Sequence, residues 1–435
     1  MGSRSFTVLV CVLLLYCFSA QPAVALPGDL DPTFGHDGVV KVFVPPGPPE
    51  ANAMAIQSDG KIVVAGTNNL DEGTKDRSKF VLARFISNGS LDPTFGGDGI
   101  VTTNFTAWRD HAYSLAIQAD GKIVATGVVG EGGGDAAMGL VRYDTDGSLD
   151  PTFGTGGKVT TNFPCRNACD DYGNTVAIQA DGRIVVGGLS RCCGNARFAV
   201  TRYETDGSLD STFGGGDGMV TDDITSSIDF GFSIAIQEDG DIVLAGQAGA
   251  FSMFGIVRFA PDGTPDSTFG QGGTVTTTVG SGGGATSVAI QADGKIVVLG
   301  GTGGEDPAFG LVRYETDGSL DQMFGSGGMV TTDFSPIFDW AQKVAIQADG
   351  KIVAVGGSAF TGGGTQGEFA LARYNQDGTP DTTFGTDGQI TADLTRYDDI
   401  GIALAIQADG RIVVAGDSGL GGRHPKIALA RFLGS

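Results

Sequence analysis

The chain has 435 residues, and 50 Asp and Glu against 27 Lys and Arg leave it with a formal charge of −23. That balance excludes nucleic acid as an expected partner, because phosphate binding needs basic patches. Only three His are present, which argues against a multi-histidine metal centre, and the 73 Gly recur at fixed places, which excludes a low-complexity tract.

Residues 1–25 read as a secretory leader. Arg4 supplies the positive start, 6–18 is apolar but too short to span a bilayer, and Ala23-Val24-Ala25 places small residues for cleavage before Leu26. A signal anchor is the alternative, but no long apolar stretch follows. The expectation is a secreted protein, extracellular or periplasmic, with no membrane span in the mature chain. Residues 26–435 then form a single domain, expected to be a monomer.

Residues 34–43 follow as an isolated strand, and then one unit of about 60 residues fills the rest of the chain. Ala-Ile-Gln recurs seven times, at Ala55, Ala116, Ala177, Ala235, Ala289, Ala345 and Ala405. Asp-x-x-Phe-Gly recurs as often, with its aromatic at Phe34, Phe95, Phe153, Phe213, Phe269, Phe324 and Phe384. A period this long, built of short apolar runs and turns, marks a stacked or radial array. Within 112–162, four strands A to D are predicted: 112–118, then 122–127 after the turn Asp120-Gly121, then 138–143, then 158–162 after the turn Asp146-Gly147. The B strands are apolar on successive residues, as in Ile62-Val63-Val64-Ala65 and Ile412-Val413-Val414-Ala415, so both of their faces are buried. A four-stranded sheet packed between two like sheets is a propeller blade.

The last copy ends at Arg431-Phe432 with no D strand after it. The orphan strand 34–43 supplies the missing piece and hides two sheet edges. The prediction is an all-β, seven-bladed β-propeller of four-stranded antiparallel blades, with the N-terminal strand closing the last blade. An open solenoid is the competing arrangement. The pattern SLAIQADGKIV at 114–124 and GLVRYDTDGSLDPTFG at 139–154 resembles the bacterial delta-60 repeat family and is similar in layout to NHL-type propellers. The resemblance implies a β-propeller and brings no catalytic residues.

Turn chemistry accounts for much of the acidity. Asp59, Asp120, Asp181, Asp239, Asp293, Asp349 and Asp409 stand in the A–B turns. Asp146, Asp206, Asp262, Asp317 and Asp377 stand in the C–D turns, with Asn88 in the remaining copy. Asp before Gly caps tight turns by accepting backbone amides; calcium binding is the alternative, although no contiguous DxDxDG loop is present.

The opposite face carries a different set. Six residues before Ala-Ile-Gln stand Asp110, Asp171, Asp229, Asp339 and Asp399, followed by His111, Tyr172, Phe230, Trp340 and Ile400. These five carboxylates are the candidate metal ligands, a ring at the channel mouth suited to Ca²⁺ or another hard cation. The competing reading ties each Asp to its own loop and the neighbouring blade. In the third unit Cys165 and Cys169 lie in a D–A loop and Cys192 and Cys193 in the next B–C loop. Export favours disulfides among them with the pairing open, and a Cys₄ zinc site is the alternative. Two functions follow: a binding or scaffold propeller recognising a protein or glycan through its channel-mouth loops, or a metal-dependent hydrolase or lactonase with its cation in the Asp ring. No nucleophile elbow or phosphate loop stands out.

Overall fold

The computed structural model describes residues 25–434, apart from 46, 70–77, 133, 165–168, 193, 251, 337, 360–366 and 422–424 and the side chains of 192 and 359. The leader and His424 therefore lie outside the described residues. Among those described, no helix is long and apolar enough to cross a membrane.

Seven antiparallel four-stranded sheets form the blades. The innermost A strands are Pro49–Ile56, Arg109–Ile117, Cys169–Ile178, Phe230–Ile236, Ala285–Ile290, Phe338–Ile346 and Asp398–Ile406 in blades 1 to 7. In blade 2 the others are Ile123–Glu131 (B), Ala137–Tyr143 (C) and Lys158–Thr161 (D). In blade 7, Ile412–Leu420 and Lys426–Phe432 are strands B and C. Strand D is the N-terminal Val39–Val42, paired from Val39 opposite Ala430 to Val42 opposite Ile427. The strand is shorter than the 34–43 expected because Phe34 belongs to the preceding turn, where it is buried beneath Arg431. Strand A of blade 1 packs on strands A and B of blade 7, and the cluster there joins Ile62, Val64 and Val81 to Val413, Ile427 and Leu429. The ring is thereby closed.

Ile62 to Ala65 and Ile412 to Ala415 are all buried, as runs without polar alternation require. Each core cluster draws its members from two adjacent blades: Val185, Phe198 and Val200 of blade 3 pack with Ile242, Leu244 and Val257 of blade 4. Hydrophobic burial therefore acts between blades as well as within them.

A polar clamp repeats at every junction. Arg84, Arg142, Arg202, Arg258, Arg313, Arg373 and Arg431, near the end of each C strand, donate Nε–H to Asp92, Asp150, Asp210, Asp266, Asp321, Asp381 and Asp31 at 2.7–2.9 Å. Each guanidinium lies 4.4–4.6 Å over the Phe of the same Asp-x-x-Phe-Gly motif. Each also donates to a carbonyl of the next blade, as Arg84 does to Thr145, Arg373 to Gly434 and Arg431 to Ser87. The other turn aspartates cap their own turns: Asp120 Oδ1 accepts Lys122 N, and Asp146 Oδ1 accepts Ser148 N.

Candidate functional site

The axis of the ring is shaped by one irregularity repeated seven times. Each A strand slips register at the third residue before Ala-Ile-Gln. The extra residue of such a bulge drops out of the ladder and points its side chain away from the regular alternation. Strand B accommodates the bulge with a glycine. A Cβ on Gly127 would meet His111 O at 1.8 Å, and one on Gly188 would meet Tyr172 O at 1.8 Å. The Gly that ends each apolar B run is thus required by close backbone approach.

The seven bulged residues are Asn52, Tyr113, Asn174, Phe232, Thr286, Gln342 and Ile402, and all of them line one central cavity of about 680 Å³. Three also join neighbouring blades: Asn52 Nδ2 donates to Ala112 O, Asn174 Nδ2 to Gly231 O, and Thr286 Oγ1 to Ala341 O. The next position along the strand is a hydroxyl in four consecutive blades. Ser114, Thr175, Ser233 and Ser287 each accept the backbone N–H of the following blade, from Val176, Ile234, Val288 and Val344, at 3.2 Å. Blade 6 has Lys343 at this position. Toward the B–C and D–A loops the cavity is walled by Tyr172, Leu189, Arg191, Phe230 and Gln247. No Asp or Glu is among its lining residues.

The five candidate metal ligands sit elsewhere. Asp110, Asp171, Asp229, Asp339 and Asp399 are all at most 1% exposed. Their carboxylates are turned into the D–A loops. Asp110 accepts Phe105 N, Thr106 N and Oγ1, and Gly130 N. Asp229 accepts Thr225 N and Oγ1 and Gly249 N; Asp399 accepts Leu394 N, Thr395 N and Oγ1, and Gly419 N. Asp339 accepts Phe334 N and Ser335 Oγ, and Asp171 accepts Phe163 N. Their backbone N–H groups reach the preceding blade: that of Asp110 to Ser78 Oγ, and those of Asp171, Asp229 and Asp339 to Ala136, Ala196 and Pro307 O. Burial raises Asp339 to about 6 against the bonds it receives, and raises Asp171 and Asp399 as well. The five carboxylates thus follow the competing reading in this structure, each tied to its own loop. These residues tie crossovers, and loop N–H and O–H groups take up most of their lone pairs. Among the described residues no three His, Cys, Asp or Glu groups converge as a metal site.

Of the residues that follow them, Tyr172 and Phe230 reach the cavity. Trp340, 40% exposed, packs 4.3 Å from Phe338 beside a groove floored by Gly283, Gly284, Gly301 and Gly303 of blade 5, which also takes in Gln247 and Gln342 of the channel wall. His111 Nε2 contacts Ser78 Oγ at 3.2 Å, and burial lowers its pKa although Glu131 opposes the shift. Cys169 is buried and stands opposite Cys192 across strands A and B of blade 3, while Cys165 and Cys193 lie outside the described residues. Sequence reasoning missed the clamp arginines, the bulge ring and Lys343. The ring had a signal: in repeats otherwise alike, the third residue before Ala-Ile-Gln differs in almost every copy.

A family model described as a domain of unknown function, DUF5122, beta-propeller, matches residues 57–95, 118–153, 179–213, 237–269, 291–324, 347–384 and 407–433, more than half of the chain. No curated protein matches by sequence. Among solved structures, a catalytically inactive virginiamycin B lyase from Staphylococcus aureus with quinupristin is similar, with a TM-score of 0.50 at 10% identity over 90% of this chain and 98% of that one. A protein of unknown function from Dyadobacter fermentans has a TM-score of 0.45 at 12% identity, over 92% and 100% of the two chains. A gluconolactonase from Xanthomonas campestris has a TM-score of 0.39 at 12% identity, over 90% and 97%. At these identities the likeness is one of fold.

Proposed function

The chain belongs to the DUF5122 β-propeller family, and we propose that it is a secreted binding propeller that takes its ligand into the central channel from the B–C and D–A face. One observation carries the reading. The repeat is nearly uniform wherever it builds blades, yet at the bulge it presents amide, phenol, phenyl, hydroxyl and alkyl groups to one cavity. A concave site with a few polar groups on an apolar wall is the usual form of a small-molecule site, and rigid strands hold such groups better than loops do. The adjoining Phe338–Trp340 groove extends the surface outward, which suits a glycan or a protruding chain segment. The hydrolase alternative would place its cation on the five aspartates, whose carboxylates accept loop N–H and O–H groups in this structure.

The delta-60 likeness and the leader belong to the same proposal: an exported repeat protein, with disulfides joining 165 and 169 to 192 and 193. Supporting the disulfides are the export signal and Cys169 itself, which is buried and not a free thiol.

The test uses Asn174→Trp, because blades 2 and 4 already accept an aromatic at this bulge in Tyr113 and Phe232. Melting shifts are first screened with neutral and acidic oligosaccharides, monosaccharides and short peptides. A ligand that stabilises the wild type should lose at least about tenfold in affinity, a difference of about 1.4 kcal/mol, in the filled channel. Unchanged binding by a variant of normal melting temperature would place the site off the axis and sink the proposal.

A further inference from the structure

The channel of this acidic protein is cationic. Two cations, Lys343 and Arg191, are among its lining residues, and no carboxylate is. Arg191 is exposed at the mouth, with Asp170 opposite it in register. Lys343 differs. It is half-buried on the innermost strand of blade 6, and among the described residues its ammonium makes no hydrogen bond and no ion pair. Burial is the sole cause acting on its pKa, which it lowers. Two carboxylates beside Tyr113 of the lining have bonds of their own: Glu50 accepts Asn69 Nδ2, and Glu131 accepts the Tyr172 hydroxyl.

The position makes the lysine informative. In blades 2 to 5 the same site holds Ser114, Thr175, Ser233 and Ser287, whose hydroxyls bind the next blade. An ammonium has three donors and no acceptor, so Lys343 cannot make that bond. Withdrawing a cation from water without a counter-charge is also unfavourable. A serine there would favour the fold on both counts. Departures from an otherwise consistent local pattern mark functional positions.

We propose that Lys343 is the anchor of an anion site in the channel, whose ligand is a small organic acid. This rests on the channel being the binding site. The acid group lies against Lys343 Nζ, inside walls that exclude bulk water and strengthen the attraction. The amides of Asn52, Asn174 and Gln342 supply directed hydrogen bonds, since each Asn retains one N–H and its oxygen after bonding the next blade. Tyr113 and Phe232 provide flat apolar faces for the ligand body. The acidic outer surface keeps bulk anions away by simple repulsion, so selection falls to ligands that also fit the wall.

The variants are Lys343→Ser, which restores the hydroxyl of the sibling blades, and Lys343→Met, which keeps the bulk. Calorimetric titration compares galacturonate with galactose, and sulfate and phosphate as bare anions; crystals soaked in sodium iodide locate any anion directly. Galacturonate should bind about tenfold or more tighter than galactose, and both variants should abolish that preference. Iodide should sit beside Lys343 in the wild type and vanish in both variants. A preference for sulfate or phosphate over galacturonate, lost in both variants, would keep the anion site but transfer it from carboxylic acids to sulfate or phosphate esters. Equal affinity for acid and neutral sugar in all three proteins, or crystals without iodide at Lys343, overturns the proposal. Neither result touches the channel-binding reading, which fails only when Asn174→Trp binds as the wild type does.

Discussion

The outer turn face and the inner axis are built from the same seven repeats and treat them in opposite ways. At the turn face the copies agree: Arg, Asp and Phe make the same ion pair, ring contact and cross-blade bond at every junction. At the axis they disagree, and no three consecutive blades bring the same side chain to the bulge. Uniformity is what a ring needs, since each junction must present the same angle to close after seven steps. Diversity at the bulge carries no such constraint, because the bulged residue lies outside the ladder. The repeat thus separates the residues that build from the residues free to recognise.

Removing a clamp residue is the harshest way to break that contrast. Arg373 is among the largest fully buried side chains, and Arg373→Ala would break the buried bond to Asp381, leaving that carboxylate to Lys351, and open a void over Phe384. A loss of about 3–5 kcal/mol is expected in urea unfolding, whereas Asn174→Trp should move stability by about 1 kcal/mol or less. Equal costs at the two sites would show that the axis builds the ring as much as the clamp does.

A crossover aspartate should fall between these limits. In Asp399→Asn one oxygen becomes a donor facing the amides of Leu394 and Thr395, so about 1–3 kcal/mol should be lost with no ligand present. EDTA or Ca²⁺ should leave both melts where they were. A melt that rises with Ca²⁺ in the wild type alone would return the Asp set to metal binding.

The smallest effect is in pH, and the two regions pull in opposite directions. Burial first, then the Glu50 charge, raises Asp417 to about 7 despite the bond it accepts from Ala51 N. A raised carboxylate binds its proton more tightly when folded. Its stabilising contribution is therefore full below the ordinary 3.8 and is lost as pH climbs through about 7. Asp339 behaves alike, with its loss centred near 6. For the clamp acids Asp92, Asp210 and Asp321, burial raises the pKa, but the Thr94, Thr212 and Lys295 bonds and the arginines outweigh it and hold them at about 2. Their contribution is full above 3.8 and lost as pH falls through about 2. Scanning calorimetry should place maximum stability on the acid side of neutrality, and Asp417→Asn should flatten only the neutral arm. A wild-type melt that climbs steadily from pH 4 to 7 would contradict this.

Blades, turns and closure were legible in the sequence because each rests on a local pattern: apolar B runs, Asp-Gly turns, and a strand missing at one end and spare at the other. The site was legible only in part. Offset alone located Asp110 and its four counterparts, but where a carboxylate points depends on whether the amides four and five residues earlier converge on it, and loop geometry decides that. Lys343 was visible as a residue and hidden as a feature. Its offset from Ala-Ile-Gln matches that of Ser114 and Thr175, but only the structure shows that those hydroxyls bond the next blade. The bulge leaves two traces, the variable residue before Ala-Ile-Gln and the glycine across from it, and glycines are too common here for the second to stand out.

The closure of blade 7 sets a condition on how the ring breathes. Successive blades meet through contacts some 60 residues apart, as with Arg84 and Thr145 at 61, but the equivalent bond from Arg431 to Ser87 spans 344. With loop entropy growing by roughly 0.6 kcal/mol for each doubling of length, the last junction starts about 1.5 kcal/mol behind the others. Its bonds are the same as theirs, so the deficit is uncompensated. The ring has a preferred seam: the N-terminal strand is the first to leave and the last to return, and hydrogen exchange should be fastest there among the D strands.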